Sequence, residues 1–242
     1  MNSIPTRLCL CLALFFSLYQ ATSAQENISY KRVYLSGKDI SSAVIWDFKV
    51  SEGQNSQVWS KIKVPSNWEM EGFGTLNYGH DHRESDRVLG KEIGYYQHSF
   101  IAESNWKDKV IRLVFDGVMT DAEVKVNGKL VGPIHQGGFY RFSYDISRHL
   151  NFGKSNLLEV QVKKHSANMS VNKAEREADF WIFGGIFRPV FLEILPKTHF
   201  TRIATDPKAD GSLTSLLTLN QIPKNAKVQL EILAQGSSTV LA

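Results

Sequence analysis

Asp179-Phe180-Trp181-Ile182-Phe183-Gly184-Gly185-Ile186-Phe187-Arg188-Pro189-Val190 joins a carboxylate and two aromatics to a glycine pair. Directly after it, Ile186, Val190, Phe191, Leu192 and Ile194 read as a buried strand. Paired glycines let a backbone turn tightly or come close to a neighbour, because they lack a Cβ. Aromatic rings stack on the apolar faces of pyranoses, and a carboxylate accepts hydrogen bonds from their hydroxyls. The stretch has the composition of a saccharide site.

Outward from it the pattern is the same. Short runs of Val, Ile, Phe, Tyr and Trp are separated by Gly, Asn, Asp and Pro, and helical periodicity is almost absent. That spacing predicts a β-sandwich or barrel. Strands are expected over 43–50, 58–64, 94–101, 110–115, 139–146, 157–162 and 186–195, with one helical turn over 147–151. Val124 and Val126 alternate before Asn127-Gly128, and Leu130-Val131 returns. Asn-Gly tolerates positive φ at both central positions, which a type I′ hairpin needs. About eight or nine antiparallel strands make a jelly roll.

Pro196-Lys197-Thr198 reads as a boundary. Further strands are expected over 200–205, 212–219, 227–233 and 238–241, as the opening of a second β domain. About 46 residues follow the boundary, whereas an immunoglobulin-like sandwich takes roughly 100. The chain therefore reads as a piece of something longer.

The first residues read as a leader. Arg7 precedes an apolar run from Leu8 to Leu18, too short to span a bilayer as a helix, and Thr22-Ser23-Ala24 offers a cleavage site. Both cysteines, Cys9 and Cys11, lie inside it. The mature chain of roughly 218 residues then has no disulfide to form and no thiol nucleophile. The net charge of +4 is interspersed, which argues against nucleic acid as a partner. Lys163-Lys164 and Lys107-Asp108-Lys109 are expected on solvated faces.

Six segments in order resemble the N-terminal sugar-binding domain of glycoside hydrolase family 2, the β-galactosidase, β-glucuronidase and β-mannosidase family. They are Val64-Pro65-Ser66-Asn67-Trp68-Glu69-Met70-Glu71-Gly72-Phe73-Gly74, Ile93-Gly94-Tyr95-Tyr96, Phe115-Asp116-Gly117-Val118, Val126-Asn127-Gly128-Lys129-Leu130-Val131-Gly132, Phe142 with Asp145-Ile146, and Asp179 to Leu192. The resemblance implies a jelly-roll domain, then an immunoglobulin-like domain, then a (β/α)₈ barrel that carries two catalytic glutamates. Such a retaining mechanism places the carboxyl groups about 5 Å apart. In the family the acid/base follows an asparagine. This chain has no Asn-Glu dipeptide and no βα alternation, so the pair is expected to lie outside it.

The resemblance also implies that an aspartate before the aromatic-Gly-Ile-Arg segment contacts substrate hydroxyls, and that residue is Asp179. A second family contact, an asparagine, falls near residues 78–82, where the chain departs and reads Tyr78-Gly79-His80-Asp81-His82. This loop is expected to line the substrate entrance. His80-Asp81-His82 offers imidazole and carboxylate, but two ligands at alternate positions with no third partner are weak evidence for a metal site. An aspartate in a loop also caps turns, and large aromatics in a sandwich are more often core. Phe183, Phe187, Trp46 and Trp68 are therefore expected in packing, with Trp181 open between packing and stacking. Arg188 is expected in an ion pair with Asp116 or Glu193.

The sequence thus reads as an all-β chain. Residues 1–24 form a signal peptide, 25–196 a galactose-binding-domain-like jelly roll, and 197–242 the start of an immunoglobulin-like sandwich. Asp179, Trp181, His80 and Asp81 are the expected contacts to a β-linked saccharide. No catalytic residue, cofactor or metal is expected in this chain, and a metal in the absent barrel stays open. The expected partners are the saccharide and the C-terminal barrel of the same polypeptide, in a periplasmic or extracellular setting with no membrane span. The alternative is a stand-alone secreted carbohydrate-binding module without hydrolase activity.

Overall fold

The computed structural model describes residues 30–79 and 90–240, so the leader and both His80 and Asp81 lie outside the described residues. In chain order the strands are β1 (Lys31–Tyr34), β2 (Val44–Val50), β3 (Ser60–Val64), β4 (Asn77–Tyr78), β5 (Ile93–Ile101), β6 (Val110–Phe115), β7 (Asp121–Val126) and β8 (Lys129–Leu130). They continue as β9 (His135–Gln136), β10 (Phe142–Asp145), β11 (Ser155–Lys163), β12 (Trp181–Ile182), β13 (Val190–Leu195), β14 (Phe200–Pro207) and β15 (Leu213–Leu219). Among the described residues one α-helix, α1 (Met169–Glu175), follows β11, with Asn168 as its N-cap accepting from the Ser170 amide.

Two antiparallel sheets make the sandwich. One has the order β1-β13-β6-β10; the other runs β3-β2-β5-β11-β7-β8, with β9 also on β7. Alternation decides which side chains meet between them. Ile111, Leu113, Phe115, Leu192 and Ile194 of the first sheet share one core with Trp46, Phe48, Tyr96, Val124, Val126, Leu158, Val160 and Val162 of the second. Burying one such large apolar side chain contributes roughly 1.5–3 kcal/mol. The expected hairpin is present: Asn127 and Gly128 have φ of 53° and 75°, and Lys125 and Val126 pair with Leu130 and Lys129. The helical turn is also there, as a 3-10 segment over Ser147–His149.

Past Leu195 the ordered pairing thins. Among the described residues β14 and β15 pair only with each other, and most of their residues are exposed. The strands expected over 227–233 and 238–241 reduce, among the described residues, to a single bridge between Leu233 and Val240. An isolated two-stranded ribbon offers little apolar face on which further strands can add.

Candidate functional site

The carboxylate-aromatic stretch forms a small exposed surface at one end of the sandwich. β12 pairs with β4, which sets Trp181 opposite Tyr78 and Ile182 opposite Asn77. The Gly79 amide donates to the Phe180 carbonyl at 2.9 Å. Trp181 is 52% exposed, and its ring meets Tyr78 edge-on with centroids 5.2 Å apart. Asp179 and Phe180 are exposed beside them. Partial desolvation, then the charge of Asp179 and a hydrogen bond to it, raise the Tyr78 phenol above its ordinary value. Asp179 and Trp181 are therefore brought together, and Tyr78 joins them. Trp181, left open by the sequence, is a surface ring.

Beneath this surface lies a layer of buried charge. Lys164 is fully buried, with its Nζ 2.8 Å from Glu69 Oε1 and 2.8 Å from Glu92 Oε2. The same ammonium donates to the Thr75 carbonyl and to Asn77 Oδ1. The Gly184 amide donates to both carboxylate oxygens of Glu69, at 3.0 and 3.1 Å. Burial raises the Glu69 carboxyl above the usual carboxylate range, and the attraction of Lys164 opposes that rise. Arg176 donates to the Phe183 carbonyl at 3.0 Å and to the Thr120 hydroxyl. Burial pulls its guanidinium down to about 10, against the opposing charges of Glu175, Glu69 and Asp121. Lys164 thus holds β4 from below through Asn77, while Glu69 and Arg176 hold the backbone just after β12. The ion layer fixes the two segments that carry Tyr78, Asp179 and Trp181.

The solvated placement expected for Lys164 is overturned. Leu158, Val160 and Val162 point inward along β11 and are buried. Period two carries the next inward position to Lys164, past the end of the strand. That alternation was the available signal. Arg176 lies just beyond a short helix with no pattern to announce it.

The glycine pair has a packing role. Trp68 is fully buried, and a Cβ on Gly184 would sit 2.1 Å from its Cζ2, while one on Gly94 would sit 2.6 Å from its Cζ3. Gly185 has a φ of 120° and exchanges backbone hydrogen bonds with Met119. The Ser66 amide donates to Ile186, and the Trp68 amide to Gly184. Three of the sequence segments thus converge on one indole. Trp46 and Trp68 are core, as expected. Phe183 and Phe187 are only half-buried. Arg188 makes neither of its expected ion pairs: Asp116 is taken by Arg141 at 2.6 Å, and Glu193 by Arg112 at 3.4 Å and Arg32 at 3.6 Å. Its guanidinium lies over the Phe187 ring, 5.0 Å from the centroid.

The family model for the glycosyl hydrolases family 2 sugar-binding domain matches residues 34–196. The chain belongs to glycoside hydrolase family 2. A Formosa agariphila protein named for a β-glucuronidase activity is 33% identical over 89% of this chain and 24% of its own length. A β-galactosidase of Thermoanaerobacter pseudethanolicus is 30% identical over 69% of this chain and 23% of its own. The solved β-glucuronidase of an uncultured Clostridium species superposes with a TM-score of 0.59 at 24% identity, over 81% of this chain and 35% of that one, which shows the shared fold. The chain spans about a quarter of the length of the curated family 2 relatives it matches. No helix among the described residues is long and apolar enough to cross a membrane.

Proposed function

We propose that this chain is the N-terminal sugar-binding part of an exported β-glycosidase of the β-galactosidase or β-glucuronidase type, and that its exposed Asp179 contacts substrate hydroxyls. The observation that carries the reading is the grouping of Asp179, Trp181 and Tyr78 on the surface, within a domain whose family model is that of a sugar-binding unit. His80 and Asp81, which follow Gly79 in the sequence, are read as further contacts to the saccharide. The catalytic glutamates are assigned to a barrel in the remaining length of the family 2 enzyme. Residues 25–196 are read as the sugar-binding unit and 197–242 as the start of an immunoglobulin-like one. The family match ending at residue 196 supports that division, and the leader composition supports export with cleavage after Ala24.

The test is made in the full-length enzyme. Asp179→Ala is expected to lower kcat/KM roughly ten- to hundredfold, since a hydrogen bond to a charged group is worth about 1.5–3 kcal/mol. The thermal midpoint is expected to stay in place, because Asp179 is exposed. Unchanged kcat/KM would reduce Asp179 to a turn residue. Separately, purified residues 25–242 are expected to release no nitrophenol from nitrophenyl β-galactoside or β-glucuronide. Sustained turnover by that fragment, free of contaminating enzyme, would place the reacting acids within these residues.

A further inference from the structure

The outward face of the larger sheet carries a second arrangement suited to sugar. Register places Asp47, Gln97, Glu159 and Lys125 in one row across β2, β5, β11 and β7. Lys49, Tyr95, Gln161 and Glu123 form the next row. Trp59, just before β3, closes the end of that row, and a groove runs between Trp59 and Glu123. Neighbouring strands lie about 4.8 Å apart, so four strands give a row of roughly 14 Å, a length that two or three linked pyranose rings cover.

Two features point to a ligand. The first is unspent hydrogen-bonding capacity. Gln97, Glu159 and Gln161 are half-buried and adjacent, and their side chains have no hydrogen-bond or ion-pair partner among the described residues. Two amides and a carboxylate supply donors and acceptors side by side, which is what a run of hydroxyl groups requires. The second is ring placement. Trp59 is 46% exposed, and the Lys49 ammonium lies 5.3 Å from its centroid and 5.2 Å from that of Tyr95. One cation thereby fixes two aromatic rings beside the amides.

Charge selects the class of occupant. Lys61 pairs with Asp47 at 2.5 Å, and Lys125 with Glu123 at 3.1 Å. Lys49 and Glu159 remain, and they balance. Two rows with no net charge between them do not attract a polyanion, and desolvating them costs least against a neutral polar partner. We propose that this face binds a neutral, extended oligosaccharide through Trp59, Tyr95, Gln97, Glu159 and Gln161. The groove shares no residue with the Asp179 surface and does not depend on the role given to Asp179 above. It would hold a glycan chain rather than present a bond for cleavage.

The test is isothermal titration of this chain with cellohexaose, xylohexaose and β-1,4-galactohexaose, and with a hexauronate as a charged probe. At least one neutral hexasaccharide is expected to bind with a Kd of about 1 mM or tighter. Trp59→Ala, and separately the pair Gln97→Ala and Gln161→Ala, are expected to weaken that binding about tenfold or more. Trp59→Phe is expected to retain most of it, which separates ring stacking from fold damage. Far-UV circular dichroism confirms that each variant is folded, and the exposed position of Trp59 makes its replacement the safest. The proposal is overturned if no neutral probe binds, if only the uronate binds, or if the groove variants bind as the parent does.

Discussion

Lys164→Met is expected to cost about 3–5 kcal/mol of folding stability at neutral pH, the usual penalty for breaking a buried pair from one side. The variant keeps the volume of the side chain and removes its charge. Glu69 and Glu92 are then left beside each other, both almost fully buried, with no ammonium between them. The Thr75 carbonyl and Asn77 Oδ1 lose their donor as well. The pH dependence gives the sharper test. Burial already raises the Glu69 carboxyl, and Lys164 is what pulls it back. Without Lys164 it rises further. A carboxyl with a folded value above its unfolded one binds its proton more tightly in the folded state, so stability falls as pH climbs through that interval. The deficit of the variant is therefore expected to be largest at about pH 7 and to shrink as pH falls and the raised Glu69 carboxyl takes up its proton. Urea titrations across this range measure it. A triple variant, Glu69→Gln, Lys164→Met and Glu92→Gln, is expected to recover much of the loss, because no bare charge stays inside. A deficit that is flat with pH would show that Lys164 acts only as a spacer.

Trp68→Ala is expected to cost about 3–5 kcal/mol, because the ring is fully buried and the space it leaves cannot close well. Its neighbours make a more telling experiment. The indole is gripped between Gly94 and Gly184, each too near for a methyl group. In the parent, Gly184→Ala would drive a Cβ into a ring that Gly94 blocks from behind. Overpacking of this kind costs typically about 1–3 kcal/mol and sometimes more, and the upper end is expected here. In the Trp68→Ala background the same substitution meets open space and is expected to cost under about 1 kcal/mol. The gap between those two costs is the coupling energy of a double-mutant cycle, measured from denaturant midpoints. Additive costs would mean that Gly184 serves its backbone conformation and not the ring.

Much of the sandwich was legible because alternation is strong where one face of a strand is buried. Val110–Phe115 and the Asn127-Gly128 hairpin stand where the sequence put them. The jelly-roll class follows from such strands. What was hidden had no pattern to show. β4 and β12 have two residues each and exist only because they pair with each other. β1 is a short edge strand whose residues lie largely towards solvent. Of the candidate site, the carboxylate and the aromatic ring were readable from composition, but Tyr78 as their neighbour was not, since only the fold brings residues a hundred positions apart onto one surface. The buried ion layer was misread because a lysine next to a lysine looks solvated until the strand period is carried one step further. The Arg188 pairings failed for a different reason. Asp116 and Glu193 each have an arginine closer to hand, Arg141 for one and Arg112 for the other, and sequence order says nothing about which cation arrives first.

β1 adds a last strand to the smaller sheet by pairing with β13, Lys31 to Ile194 and Tyr34 to Phe191. The Tyr30 hydroxyl reaches Glu193 across 163 positions of chain. On a ribosome, then, the opening segment must wait unpaired until nearly the whole unit has emerged. Closure is a late event governed by a very long loop, which slows β folding and lengthens the time a bare edge is open to chaperones.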